Sequence, residues 1–273
     1  MISINIDPVI FWNVRWYGVL IAVGIMALVG WALWRARRGA RVSYDTIFTA
    51  AIIGIPSGVI ISRFLHVVDL RDYYLQHPEK LIGGDGLTIY GAVLGAALGI
   101  WVYSQFAKDK FRFGYLADVI APGVILAQTI GRVGCAINGC CYGTETTLPW
   151  GFVYNHPNAL APLGVATQPV VVYEMIYLAL MFGFLLWLRG RLKPDGSIFL
   201  IYLSLYAVWR LASDFLRPGT PFLFGLHQAQ VIAIVSLVIC VPLLVWRTRF
   251  VNPEMAAATA AETVGPTPPR SAA

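Results

Sequence analysis

The chain has 273 residues, of which 58% are hydrophobic and only 12% charged, with 20 Lys and Arg against 14 Asp and Glu for a formal net charge of +6. Soluble domains are about a quarter charged, so this composition excludes a disordered chain, a disulfide-stapled secreted module and an ordinary cytosolic enzyme. The positive excess does not point to nucleic acid, because the basic residues sit in short clusters between long apolar runs, which is the pattern of membrane topology.

In chain order, residues 17–34, 46–62 and 87–107 carry no charge. Residues 119–130 are apolar, and their helix is expected to continue past Arg132. The run 170–188 holds only Glu174, 197–216 holds Arg210 and Asp214, and 225–246 holds only His227. A hydrocarbon core about 30 Å thick requires about 20 helical residues, and helices satisfy their own backbone polar groups in lipid. The expectation is an all-α integral membrane protein with about seven transmembrane helices. Before the first run there is no basic segment, and no small-residue cleavage site follows it, so it is expected to remain as a helix rather than act as a signal peptide. Residues 1–250 are expected to form a single polytopic membrane domain, and the Ala-, Thr- and Pro-rich residues 251–273 a disordered cytoplasmic tail.

Orientation follows from Lys and Arg in the connections. Arg35, Arg37, Arg38 and Arg41 follow the first run, Lys108, Lys110 and Arg112 the third, Arg189, Arg191 and Lys193 the fifth, and Arg247 and Arg249 the last. The alternate side holds Arg15, Arg71, Lys80 and Arg217. This asymmetry puts the N-terminus outside and the C-terminus in the cytoplasm.

Charged groups inside a bilayer are costly and mark function. With that orientation, Arg63, Arg132, Glu174, Arg210 and Asp214 all fall in the outer leaflet. Three arginines against two carboxylates leave a positive excess, suited to an anionic lipid headgroup because guanidinium binds phosphate bidentately. Alternatives stand beside this: Arg210 and Asp214, four residues apart, can neutralise each other, and Arg63 can extend to the interface. Arg15, His66 and His227 suit the interface, and Trp12, Trp16, Tyr142 and Trp150 an outer aromatic belt. Gly91, Gly95 and Gly99 form a helix-packing stripe.

Residues 131–143 read GRVGCAINGCCYG. Gly131, Gly134, Gly139 and Gly143 are expected to break the helix and admit a ligand close to the backbone, with free N–H groups helping Arg132 cradle a phosphate and Asn138 in the same pocket. Cys135, Cys140 and Cys141 lie in this segment and Cys240 in an apolar run; this is neither a disulfide framework nor a zinc pattern, and no metal is expected. A nucleophilic cysteine needs an adjacent base, and no His lies in the segment.

These residues resemble the bacterial phosphatidylglycerol–prolipoprotein diacylglyceryl transferases over about residues 7–246. The likeness includes DPVIF at 7–11, RWYG at 15–18, GDGLTIYGA at 84–92, the signature at 131–143, QPVVVYE at 168–174, GSIFLIYLSLYAVWRLASDFLR at 196–217 and HQAQ at 227–230. The resemblance implies a seven-helix enzyme of the bacterial inner membrane with a periplasmic N-terminus. It matches Tyr17 to the family's essential tyrosine, Arg132, Asn138 and Gly143 to its signature, Glu174 to its Tyr-Glu glutamate and Arg210 to its sixth-helix arginine. Asp214 stands where the family has Glu, Cys135 and Cys140 replace a signature Asn and Glu, and Tyr90 stands in place of a catalytic His.

The implied reaction moves the diacylglyceryl group of phosphatidylglycerol to the lipobox cysteine thiol of a preprolipoprotein, without a cofactor, forming a thioether and releasing glycerol 1-phosphate. Arg132 and Arg210 suit stabilisation of charge on the departing phosphodiester. Tyr90 and Tyr17 are the candidates for handling the thiol, and Arg63, Arg132, Asn138, Gly143, Glu174 and Asp214 for holding the lipid. The competing assignments are a related lipid-modifying transferase with another acceptor, a non-catalytic anionic-lipid binder, and a transporter. Against the last, the polar cluster is one-sided and no internal repeat is visible.

Overall fold

The computed structural model describes residues 1–12, 14–69, 71–78, 81, 89–107, 111–219 and 222–250. Its helices are α1 (Trp16–Arg37), α2 (Tyr44–Asp69), α3 (Arg71–Gln76), α4 (Ile89–Phe106), α5 (Phe113–Asn138), α6 (Val170–Leu188), α7 (Ser197–Ser213) and α8 (Gln228–Arg247). Six of them are long and apolar enough to cross a membrane, and α4 supplies a shorter apolar stretch, Gly91–Phe106. Large apolar side chains point outward along them, with Leu180 and Ile52 each 70% exposed. So much apolar surface is incompatible with water and is what hydrocarbon solvates. The expected tail at 251–273 lies outside the described residues.

Short strands accompany the helices: β1 (Ile2–Ile4), β2 (Val9–Phe11), β3 (Val14–Arg15), β4 (Phe152–Tyr154), β5 (Ala166–Thr167), β6 (Leu192–Lys193) and β7 (Arg249–Phe250). The largest sheet runs β1-β4-β5, with β1 parallel to β4 in the register Ile2↔Phe152 and β5 antiparallel to β4. It ties residues 2–4 to the segment between α5 and α6.

The chain divides into two units, one of Met1–Leu28 with Ile120 onward and one of Val29–Val119. In the first, Ala121 and Ile125 of α5 pack with Leu178, Met181, Leu185 and Leu188 of α6 and with Ile198 and Tyr202 of α7. In the second, α2 packs along α4. A methyl group at Gly95 would meet Ser57 O at 2.5 Å, and one at Gly99 would meet Ser57 Oγ, so these two glycines of the stripe serve close helix packing.

One expectation about the signature needs correction. Gly131 and Gly134 do not break the helix; both lie inside α5, which continues to Asn138. Gly134 instead admits α1, since a Cβ there would stand 3.1 Å from Tyr17 Cα. The break comes at Gly139, with φ 69°. The N–H of Cys140 bonds Cys135 O at 3.2 Å, the closure that ends many helices at a left-handed glycine.

Candidate functional site

Glu174 lies on the first turns of α6 with no exposed surface. A carboxylate there requires compensating charge, and two arginines supply it. Arg132 Nη2, from α5, stands 2.8 Å from Oε1, and Arg217 Nη2, just past α7, stands 3.1 Å from Oε2. Tyr206 Oη of α7 donates to Oε1 at 3.4 Å and accepts from Arg132 Nη2 at 3.4 Å. The other arginine nitrogens are less committed. Arg132 Nη1 faces Cys135 Sγ at 3.7 Å and Cys141 Sγ at 3.6 Å, and Arg217 Nε is a buried donor without a partner among the described residues.

A second ion pair lies on the same helix end. Arg210 Nη2 bonds Asp214 Oδ1 at 3.2 Å, the four-residue spacing noted in the sequence, and His227 Nδ1 lies 2.8 Å from Asp214 Oδ2. His227 is the N-cap of α8, where its N–H donates to Gln230 Oε1 at 3.0 Å. Arg132 contacts Tyr206, and Arg210 lies within electrostatic range of the same phenol. Among these five side chains, three arginines stand against two carboxylates, a formal balance of one positive charge.

Asn138, the last residue of α5, is buried and accepts from Arg15 Nη1 at 2.9 Å; the same Nη1 reaches Asn158 O at 3.2 Å. Gly143 lies where backbone segments cross: its N–H bonds Gln168 O at 3.0 Å, and a Cβ would stand 2.8 Å from both Gln168 O and Leu216 O. Tyr17 is part-buried, within electrostatic range of Arg132 and the three signature cysteines. All four cysteines are free. Cys141, beyond the end of α5, is held below the usual thiol range, first by hydrogen bonds from Cys135 and Cys140 and then by the positive charges of Arg132 and Arg217.

Two expected site residues do not join this description. Arg63 belongs to the second unit, where its Nε donates to Leu81 O at 3.2 Å and its guanidinium lies 5.3 Å from the Tyr74 ring centroid. The Tyr90 backbone opens α4, while its side chain lies outside the described residues.

A family model described as prolipoprotein diacylglyceryl transferase matches residues 5–246. The chain belongs to this family. A phosphatidylglycerol–prolipoprotein diacylglyceryl transferase of Dehalococcoides mccartyi is 47% identical over 253 residues, covering 91% of this chain and 96% of the relative. Similarly named proteins are 35% identical in Clostridium tetani, over 75% of this chain and 81% of the relative, and 34% in Symbiobacterium thermophilum, over 91% and 92%.

In this member of the prolipoprotein diacylglyceryl transferase family, Arg132 of α5 pairs with Glu174 of α6, and Arg210 pairs with Asp214 at the end of α7. Three partner residues escape the sequence: Arg217, which pairs with Glu174, His227, which pairs with Asp214, and Arg15, which bonds Asn138. Arg217 reads in the sequence as a topology charge, yet its place three residues after Asp214 puts it one turn on along the same face. Arg15 reads in the sequence as an interfacial anchor, although it lies two residues before Tyr17 in RWYG. His227, likewise given to the interface, opens α8 against Asp214. The signals were therefore present, at the ends of apolar runs where charge is read first as topology.

Proposed function

We propose that the protein transfers the diacylglyceryl group of phosphatidylglycerol to the lipobox cysteine thiol of a preprolipoprotein, at the periplasmic face of the bacterial inner membrane. The observation that carries this reading is the family match across residues 5–246, which includes the arginines gathered around buried Glu174. The whole of 1–250 acts as one polytopic membrane domain, with α4 making a seventh crossing and the N-terminus outside.

In the reaction the thiol sulfur attacks the glyceryl carbon bonded to the phosphodiester oxygen. A C–S bond forms, the C–O bond breaks, and glycerol 1-phosphate leaves with the electron pair. The thiol proton passes to the departing phosphate or to solvent, so no cofactor is needed. A free thiol is only a few per cent ionised near neutral pH, and a local positive field favours the thiolate.

Arg132 and Arg210 hold the phosphate and stabilise the charge that gathers on it as the bond breaks, an effect strengthened in a water-poor site. Glu174 and Asp214 fix the orientation of those arginines, and Arg217 Nε offers a further donor. Asn138 and Gly143 shape the lipid pocket, Arg63 contributes to headgroup binding, and Tyr90 and Tyr17 orient the acceptor thiol.

The test is incubation of the purified protein with phosphatidylglycerol and a lipobox peptide, with mass spectrometry for the diacylglyceryl adduct. The adduct is expected with phosphatidylglycerol and absent when the peptide cysteine is replaced by Ser. An unmodified peptide with the intact cysteine would contradict the proposal.

A further inference from the structure

The proposed transfer chemistry uses none of the three signature thiols, yet the end of α5 brings them together. Gly139 turns the chain left-handed, and the bond from Cys140 N–H to Cys135 O folds it back over the last helical turn. Cys140 Sγ then lies 3.8 Å from Cys135 O. Cys141 follows with φ 61°, a conformation that a residue bearing a Cβ adopts only when its surroundings impose it. That turn brings Cys141 Sγ to the same Arg132 nitrogen that faces Cys135 Sγ. The three Sγ atoms lie within 4.8 Å of one another. Cys135 is buried, whereas Cys140 and Cys141 are part-exposed and leave a way in.

We propose that Cys135, Cys140 and Cys141 form a binding site for a single thiophilic cation, Cu(I) or Zn(II). Metal–thiolate bonds of about 2.3 Å place three sulfurs around a shared ion about 4 Å apart, within the spread of this cluster. Thiolates select such ions over Mg²⁺ and Ca²⁺. Among the described residues no His, Asp or Glu joins the group. An all-sulfur, three-coordinate set suits Cu(I), and Zn(II) completes its tetrahedron with water. Up to three S–H protons leave as the metal–sulfur bonds form, with no change of oxidation state. The resulting centre is net anionic, and Arg132 stands against it as counter-cation. The site shares Arg132 with the proposed transfer reaction, but cation binding needs neither lipid nor peptide and is tested without them.

The test uses the full chain, purified in detergent, reduced and kept anaerobic. It is titrated with Cd(II) as an optical probe of thiolate ligation, and with Zn(II) and Cu(I) in separate arms in which retained metal is counted after desalting. The expected result is a sulfur-to-cadmium charge-transfer band saturating at one ion per chain. It should be lost in Cys135→Ser, Cys140→Ser and Cys141→Ser and kept in Cys240→Ser. A bound ion should also shield the three thiols from alkylation in the wild type, a readout that needs no variant to fold. A wild-type chain with no band and no retained metal would overturn the proposal. So would binding that survives all three substitutions, or thiols that alkylate equally with and without metal.

Discussion

Arg132 of α5 and Glu174 of α6 meet at 2.8 Å, and the carboxylate has no exposed surface. Arg217 holds its other oxygen at 3.1 Å. The group is a buried triad of one anion between two cations, and its members depend on one another because an uncompensated charge in such a place is costly. Glu174→Ala leaves two largely buried guanidinium groups without the carboxylate that compensates them. The expected loss is about 3–5 kcal/mol of stability, seen as a large fall in Tm in detergent. An unchanged Tm would show that Glu174 does not anchor the arginines.

Arg217 provides a prediction specific to this structure. Its Nη2 is committed to Glu174, while its buried Nε has no partner among the described residues. Lys preserves the charge but not the planar fork. Arg217→Lys should therefore fold and lose transfer activity by about tenfold or more, mainly through kcat. Full activity in the lysine variant would remove Arg217 from the account.

Gly143 is constrained on two sides by backbone, which cannot rotate away as a side chain can. Gly143→Ala would press a methyl group against Gln168 O and Leu216 O, each 2.8 Å from its position. Overpacking of this kind costs about 1–3 kcal/mol. Thermal unfolding should show that loss, and activity should fall with it as the segment holding Gln168 shifts.

The structure also sets a dependence on pH at the N-terminal segment. Asp7 accepts a hydrogen bond from Val9 N–H at 2.9 Å and another from Asn158 Nδ2 at 3.1 Å, which holds its carboxyl below the usual aspartate range. A lowered folded-state pKa contributes stability that is fully present above the unfolded value, about 4, and is lost as pH falls through the folded value. The wild type should exceed Asp7→Asn in Tm at pH 6, and the difference should shrink at pH 3. An equal difference at both values would contradict this.

The helical spans were legible because lipid imposes long uncharged runs, and α5 was expected to continue past Arg132. The strands were not, since two or three residues are too few to display a period of two. The ion pairs were partly legible. Arg210 and Asp214 lie four apart on one helix, a relation that spacing shows directly. The meeting of Arg132, Glu174 and Arg217 joins three separate segments and depends on how α5, α6 and the turn after α7 pack. Tyr206 carries no charge and sits among apolar residues, so it gave no signal at all. The thiol cluster was hidden for another reason: its spacing matches no familiar ligand pattern and becomes a constellation only after Gly139 reverses the chain.

The most direct test of the central claim compares rates of adduct formation from phosphatidylglycerol and lipobox peptide for the wild type and Arg132→Ala, with folding of both verified by Tm. A guanidinium that stabilises the departing phosphate contributes about 100-fold or more to the rate, so the alanine variant should fall by at least that factor. A rate within twofold of wild type would contradict the account.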